Sequence, residues 1–313
     1  MISRLVNTFV ALLGHKMLNV AALTSLVGSI VALLLFVIDP RELLGVSIWE
    51  KPLKFLISAT LYSATFSWLF TFVEKGKGLA SKLGNLIAVM LLVELAVIVG
   101  MASVGSTSHF NVSTPFNIAV WSLMATAITA VWVATFLLSI GLWNSRRMSD
   151  DLRLAVRWGI ALGLAGMGIA FTMTPPQPQQ ILPENWVGVA GAHTVGAADG
   201  GPGLPFFGWS TEAGDLRISH FLGLHALQVL PLVAAVVTVI FSTHLVRRAI
   251  ITGAAVAYAL LIVFTYVQAL LGETVVQPSS LIFVGIILII GVTTSSFLLL
   301  WQRAGMPVRD RAI

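Results

Sequence analysis

Residues 83–103 read LGNLIAVMLLVELAVIVGMAS, and Glu94 is the one ionisable side chain among them. At about 1.5 Å per residue, a helix of that length covers roughly 31 Å, the thickness of a bilayer's hydrocarbon core. The surface helix of a soluble protein would carry a polar stripe along one side. Here Asn85 and Glu94 are the only strongly polar groups, so every face of the helix is suited to apolar surroundings.

Seven more stretches of this kind run over 18–38, 53–73, 117–142, 154–173, 218–244, 250–271 and 281–301. Together they predict an all-α integral membrane fold, a bundle of eight transmembrane helices forming one domain over 18–313. Composition agrees: 57% of the 313 residues are apolar, mean hydropathy is +0.94 and 10% are charged. A soluble domain carries roughly 25% charged residues, so an ordinary globular protein is excluded. Ahead of the first span, Ile2, Leu5, Val6, Phe9, Leu12, Leu13 and Met17 recur at helical spacing, predicting an interfacial amphipathic helix over 1–17.

The net charge of +5 and the pI near 9.9 would suit nucleic acid if the basic residues formed one patch. They do not. Arg4, Lys16, Lys75, Lys77, Lys82, Arg146, Arg147, Arg153, Arg157, Arg247, Arg248, Arg303, Arg309 and Arg311 alternate onto one side of the bundle, against Arg41, Lys51, Lys54 and Arg217 on the other. That 14 to 4 bias predicts the cytoplasmic membrane of a bacterium with both termini in the cytoplasm, the bilayer as partner, and no nucleic acid. The absence of cysteine excludes disulfides, thiolate metal sites and c-type haem attachment.

On the outer side, residues 103–116 carry Ser108-His109-Phe110-Asn111, and the first outer loop carries Trp49-Glu50-Lys51-Pro52-Leu53-Lys54. The longest loop, 174–216, is rich in Pro and Gly but contains Trp186, Phe206, Phe207 and Trp209, which predicts an ordered cap. Glu94 lies nine residues inside Ser103, about 14 Å below the outer boundary. A carboxylate at that depth is costly unless paired, protonated or facing water, so it marks a candidate site. His225 has similar depth, shares a helix face with Gln228, and lies above Pro231, which frees the Leu227 carbonyl.

His220 and His225 are five residues apart, about 140° around a helix, and do not chelate one metal as an i, i+4 pair would. Each suits one ligand position of a site completed by His109 or His193, and imidazole is the usual axial ligand of b-type haem. Lys51, Lys54 and Arg217 would stand at the height of the haem propionates or another anionic head group. The plainer reading of these histidines is interfacial hydrogen bonding. Gly159, Gly163 and Gly166 in the fifth span, and Ala59, Ser63 and Ser67 in the second, have the spacing of close helix contacts, and Trp121, Trp132 and Trp143 form one stripe suited to packing and the interfacial belt.

The Ser108–Asn111 run, the stretch His220-Phe221-Leu222-Gly223-Leu224-His225-Ala226-Leu227-Gln228, the Trp49–Lys54 run and the Gly- and Pro-rich 200–211 segment together resemble a group of uncharacterised bacterial multi-pass membrane proteins. The resemblance covers roughly 39–232 and implies fold and orientation; the group has no established activity to lend. It carries an Arg-Gly pair where this chain has Val104-Gly105.

Three functions fit these residues. One is a haem b or metal-binding redox protein, with His109, His193, His220 and His225 as candidate ligands, Glu94 as proton acceptor, and Lys51 and Lys54 on the propionates. Another is a proton-coupled transporter in which Glu94 and His225 titrate together. The third is a non-catalytic membrane subunit docking a protein partner through its aromatic outer loop.

Overall fold

The computed structural model describes residues 14–303. Residues 1–13, most of the expected interfacial helix, lie outside that range. Eight long helices follow: α1 (Lys16–Ile38), α2 (Glu50–Phe70), α3 (Lys77–Ser103), α4 (Pro115–Leu142), α5 (Asp150–Ile169), α6 (Leu216–Ile240), α7 (His244–Leu270) and α8 (Ser280–Arg303). Seven of them, α1 to α7, are long and apolar enough to cross a membrane. The eighth occupies the place of the expected 281–301 span.

Most helices begin earlier than the apolar runs because polar first turns add to them. Ser149 and Thr114 cap α5 and α4 through their side chains, and α2 takes in Glu50, Lys51 and Pro52, since proline is tolerated in a first turn. Short antiparallel pairs join β1 (Glu42–Leu43) to β2 (Val46–Ser47) and β3 (Thr194–Val195) to β4 (Gly214–Asp215).

The chain forms two compact units. The first contains α1 to α4 with loop segments Thr172–Ala192 and Ala198–Gly208. In it α1 packs on α2 and α3, and α3 on α4, around Ala32, Leu53, Leu56, Ala59 and Leu95. Ser63 and Ser67 are fully buried, as their small-residue spacing requires. The second contains α5 to α8 with His193–Ala197 and the segment from Trp209. Its core is Ala155, Leu230, Ala234, Ile251 and Ala255.

Within the second unit α5 and α6 cross almost at backbone contact. A Cβ on Gly166 would lie 2.4 Å from the Gly223 Cα, and one on Gly159 2.8 Å from the Leu227 Cα. The glycine stripe read from the sequence is this crossing.

Candidate functional site

In the first unit α3 stops at a Schellman turn. Gly105 takes a left-handed φ of 71°, its N–H donates to the Ala102 carbonyl, and the Ser106 N–H reaches back to Met101, each at 2.9 Å. Only a residue at ease at positive φ ends a helix this way, and the chain is thereby turned back over the helix it has just left.

Six residues past the end of α3, His109 meets Glu94, nine residues inside it. Its Nε2 lies 3.7 Å from Glu94 Oε1, and its Nδ1 is 3.0 Å from the buried Ser108 hydroxyl. The ring is walled by Phe55 of α2, by Phe110 and by Trp121 of α4, at centroid distances of 5.7, 6.1 and 5.5 Å. Lys51 lies over the Phe55 ring, 5.8 Å from its centroid. Glu94 is 5% exposed, and its Oε2 has no hydrogen-bond partner among the described residues.

The long loop holds this arrangement in place. Asn111 bridges Val189, the Ala190 N–H donates to the Phe110 carbonyl at 2.9 Å, and the Val112 N–H donates to that of Gly188 at 2.8 Å. Phe110 itself adopts a left-handed φ of 61°. Its ring lies against Gly191, where a Cβ would come within 2.6 Å of Phe110 Cδ1. Gln180 clamps Gly191 from the other side, accepting from its N–H at 3.0 Å and donating to its carbonyl at 2.9 Å.

Lys54, Arg41 and Arg217, expected on the outer side, are tied to anions. Lys54 bonds Glu50 at 2.7 Å and the Phe207 carbonyl at 2.8 Å. Arg41 bonds Asp39 and the Ser103 carbonyl. The Arg41 guanidinium, with help from the Trp49 indole, holds the Asp39 carboxyl well below the usual carboxylate range. Arg217 bonds Asp215, the N-cap of α6, at 2.6 Å.

The other candidate histidines, His193, His220 and His225, belong to the second unit. His220 Nδ1 faces the Gly166 carbonyl at 2.7 Å, in keeping with the plainer hydrogen-bonding reading. His225 lies edge-on to Phe221, 4.5 Å between centroids, and interacts with Gln228. His193 supplies its backbone carbonyl to the Leu216 N–H. Glu94 thus meets His109 within its own unit, while His225 has its described neighbours on α6. Among the described residues no three His, Asp or Glu side chains are grouped so as to hold a metal ion.

Sequence reasoning passed over the aromatic wall. Trp121 counted there as belt and packing, Ser108 as part of a motif without a task, and Phe55 was not singled out. The available signal was the adjacency of Ser108, His109 and Phe110 in a loop just beyond the span that holds Glu94. Comparisons with family models, curated proteins and solved structures return no match.

Proposed function

We propose that this protein is a proton-coupled carrier of the bacterial cytoplasmic membrane, with eight spans, both termini in the cytoplasm, and Glu94 and His109 as its proton-exchanging pair. The observation that carries the reading is the 3.7 Å approach of His109 to a deeply buried carboxylate whose second oxygen lacks a hydrogen-bond partner among the described residues. An ionisable group in the apolar part of a span is expensive to keep unless it has a task and a partner. Imidazole changes charge near neutral pH and has two nitrogens, so it can take a proton on one side and release it on the other. Here Nε2 faces Glu94 and Nδ1 faces Ser108. Ser108 is then the relay's outer neighbour, and Phe55, Phe110 and Trp121 keep bulk water from short-circuiting it.

The haem or metal alternative has less support. Both nitrogens of His109 already face protein atoms, and Lys54 and Arg217 are engaged in ion pairs. Oxidised and dithionite-reduced visible spectra of the purified protein check it directly; a haem spectrum would displace the proton reading.

Proton flux in liposomes, read with an entrapped pH-sensitive dye under an imposed gradient, tests the proposal. Glu94→Gln keeps the shape and hydrogen-bonding capacity of a protonated carboxyl, so the fold survives while titration is lost. Flux in Glu94→Gln and His109→Gln is expected to drop about 100-fold, the scale of a lost acid–base group. Flux equal to wild type in both variants would overturn the reading.

A further inference from the structure

The loop segment 181–187, Ile-Leu-Pro-Glu-Asn-Trp-Val, has an unusual combination of properties. It is fixed at both ends, at Gln180 by the two bonds to Gly191 and at Gly188 by the bond from Val112. Yet Ile181, Leu182, Trp186 and Val187 are 65, 44, 51 and 77% exposed. A tether would let such side chains collapse onto the protein, whereas this one is braced so that they point away from it. Exposed apolar surface held in a fixed shape marks an interface.

Its position identifies the other side of that interface. A Cβ on Gly188 would lie 2.5 Å from the Ser113 Cβ, so the segment adjoins the residue before the cap of α4. The first turn of α4 carries Phe116 and Ile118, 67 and 46% exposed, where the apolar wall of that helix begins. The loop patch and the helix wall therefore adjoin, all within the first unit. The whole 174–216 loop has no Lys or Arg before Arg217, and 181–187 has Glu184 as its single charge. Such a surface seeks no anionic partner. Tryptophan, apolar in body with one N–H donor, is the residue of the headgroup boundary.

We infer that residues 181–187 are a lipid foot: a braced loop that seats Ile181, Leu182, Trp186 and Val187 in the outer leaflet beside the start of α4, with the acyl and glycerol region of a zwitterionic bilayer as its ligand. The inference rests on the membrane reading above. It makes this part of the ordered cap a monotopic anchor that holds Gly188 and Ala190 against the 110–112 segment next to His109.

The chain has no cysteine, so one introduced thiol carries one spin label. Val187→Cys, Val133→Cys on the exposed side of α4, and Lys75→Cys in the α2–α3 turn are each labelled and reconstituted in phosphatidylcholine vesicles. Collision with oxygen, which enters lipid, is compared with collision with a water-soluble nickel chelate. The label at 187 is expected to favour oxygen as the label at 133 does, and to differ at least about tenfold in the oxygen-to-nickel ratio from the label at 75, the span of a lipid-to-water transfer of a few methylenes. Nickel access at 187 with oxygen preference at 133 would overturn the lipid foot and leave the membrane reading standing. Exclusion of both reagents at 187 would overturn it in favour of a protein partner. Nickel access at 133 would overturn the membrane reading itself, and the foot with it.

Discussion

At His15 the first described helix begins with a side chain that does two things. Its Nδ1 accepts from the Leu18 N–H at 3.3 Å, capping α1, and its Nε2 faces the Ser81 carbonyl at 3.1 Å. Burial pushes its pKa below the usual histidine value, with the Ser81 carbonyl pulling the other way. A folded-state pKa below the unfolded one gives stability that is present above the unfolded value, about 6.5, and lost as pH falls through the folded one. The protection of the Leu18 amide, corrected for the intrinsic pH dependence of exchange, is therefore expected to fall as pH drops below about 6.5. His15→Ala should remove that dependence while costing about 1 kcal/mol, the value of a cap, at neutral pH. Equal acid sensitivity in the variant would count against the cap. From the sequence alone His15 reads as an ordinary boundary residue, because a capping histidine looks the same as an exposed one until the helix start is known. Glu94 was legible for the opposite reason: charge inside an apolar run needs no neighbour to be noticed. Its partner was not legible, because depth counting along helices favours His225 and gives no weight to a loop that folds back.

The contact of α5 with α6 belongs to elements rather than residues, and spacing foretold its α5 side without naming the partner helix. Small residues at 159, 163 and 166 predict an approach of backbones, and Gly166 and Gly223 leave no room for a side chain at the crossing. Gly166→Val is expected to lower the thermal midpoint in detergent markedly, since overpacking costs about 1–3 kcal/mol even where neighbours can give way. A Cβ at Gly168 meets nothing within 4 Å, so Gly168→Ala should leave the midpoint unchanged or raise it slightly. A loss in Gly168→Ala as large as that in Gly166→Val would mean that the crossing does not set the cost. Loops were harder. The 174–216 segment has the proline and glycine of a linker, and its aromatics predicted order without saying where each would lie. What fixes it is a set of backbone bonds to 110–112 and the Gln180 clamp, and no local pattern foreshadows either.

Over the chain, the hydropathy runs locate the eight long helices to within six residues at either end, because a continuous apolar run marks each helix by itself. Division into a unit of α1–α4 and a unit of α5–α8 leaves no such trace, since it depends on which helices choose one another. The 14 to 4 placement of Lys and Arg makes a global statement that can be checked. Fusion of a fluorescent reporter to either terminus should give fluorescent cells, and fusion of a periplasm-dependent phosphatase to the same positions should give no activity. The reverse pattern would invert the bundle and set Glu94 against the opposite compartment.

The pairing of Phe110 with Ala190 also has a consequence in time. Eighty residues separate the two partners. At a synthesis rate of about 5–20 residues per second, the ribosome needs roughly 4–16 s to make the second after the first. Throughout that interval the segment that carries His109 lacks the bonds that later fix it. If Glu94 and His109 exchange protons as proposed, a nascent chain carries the pair before the loop that braces it exists. An arrest before Gly188 would leave residues 110–112 without their backbone bonds to Gly188 and Ala190.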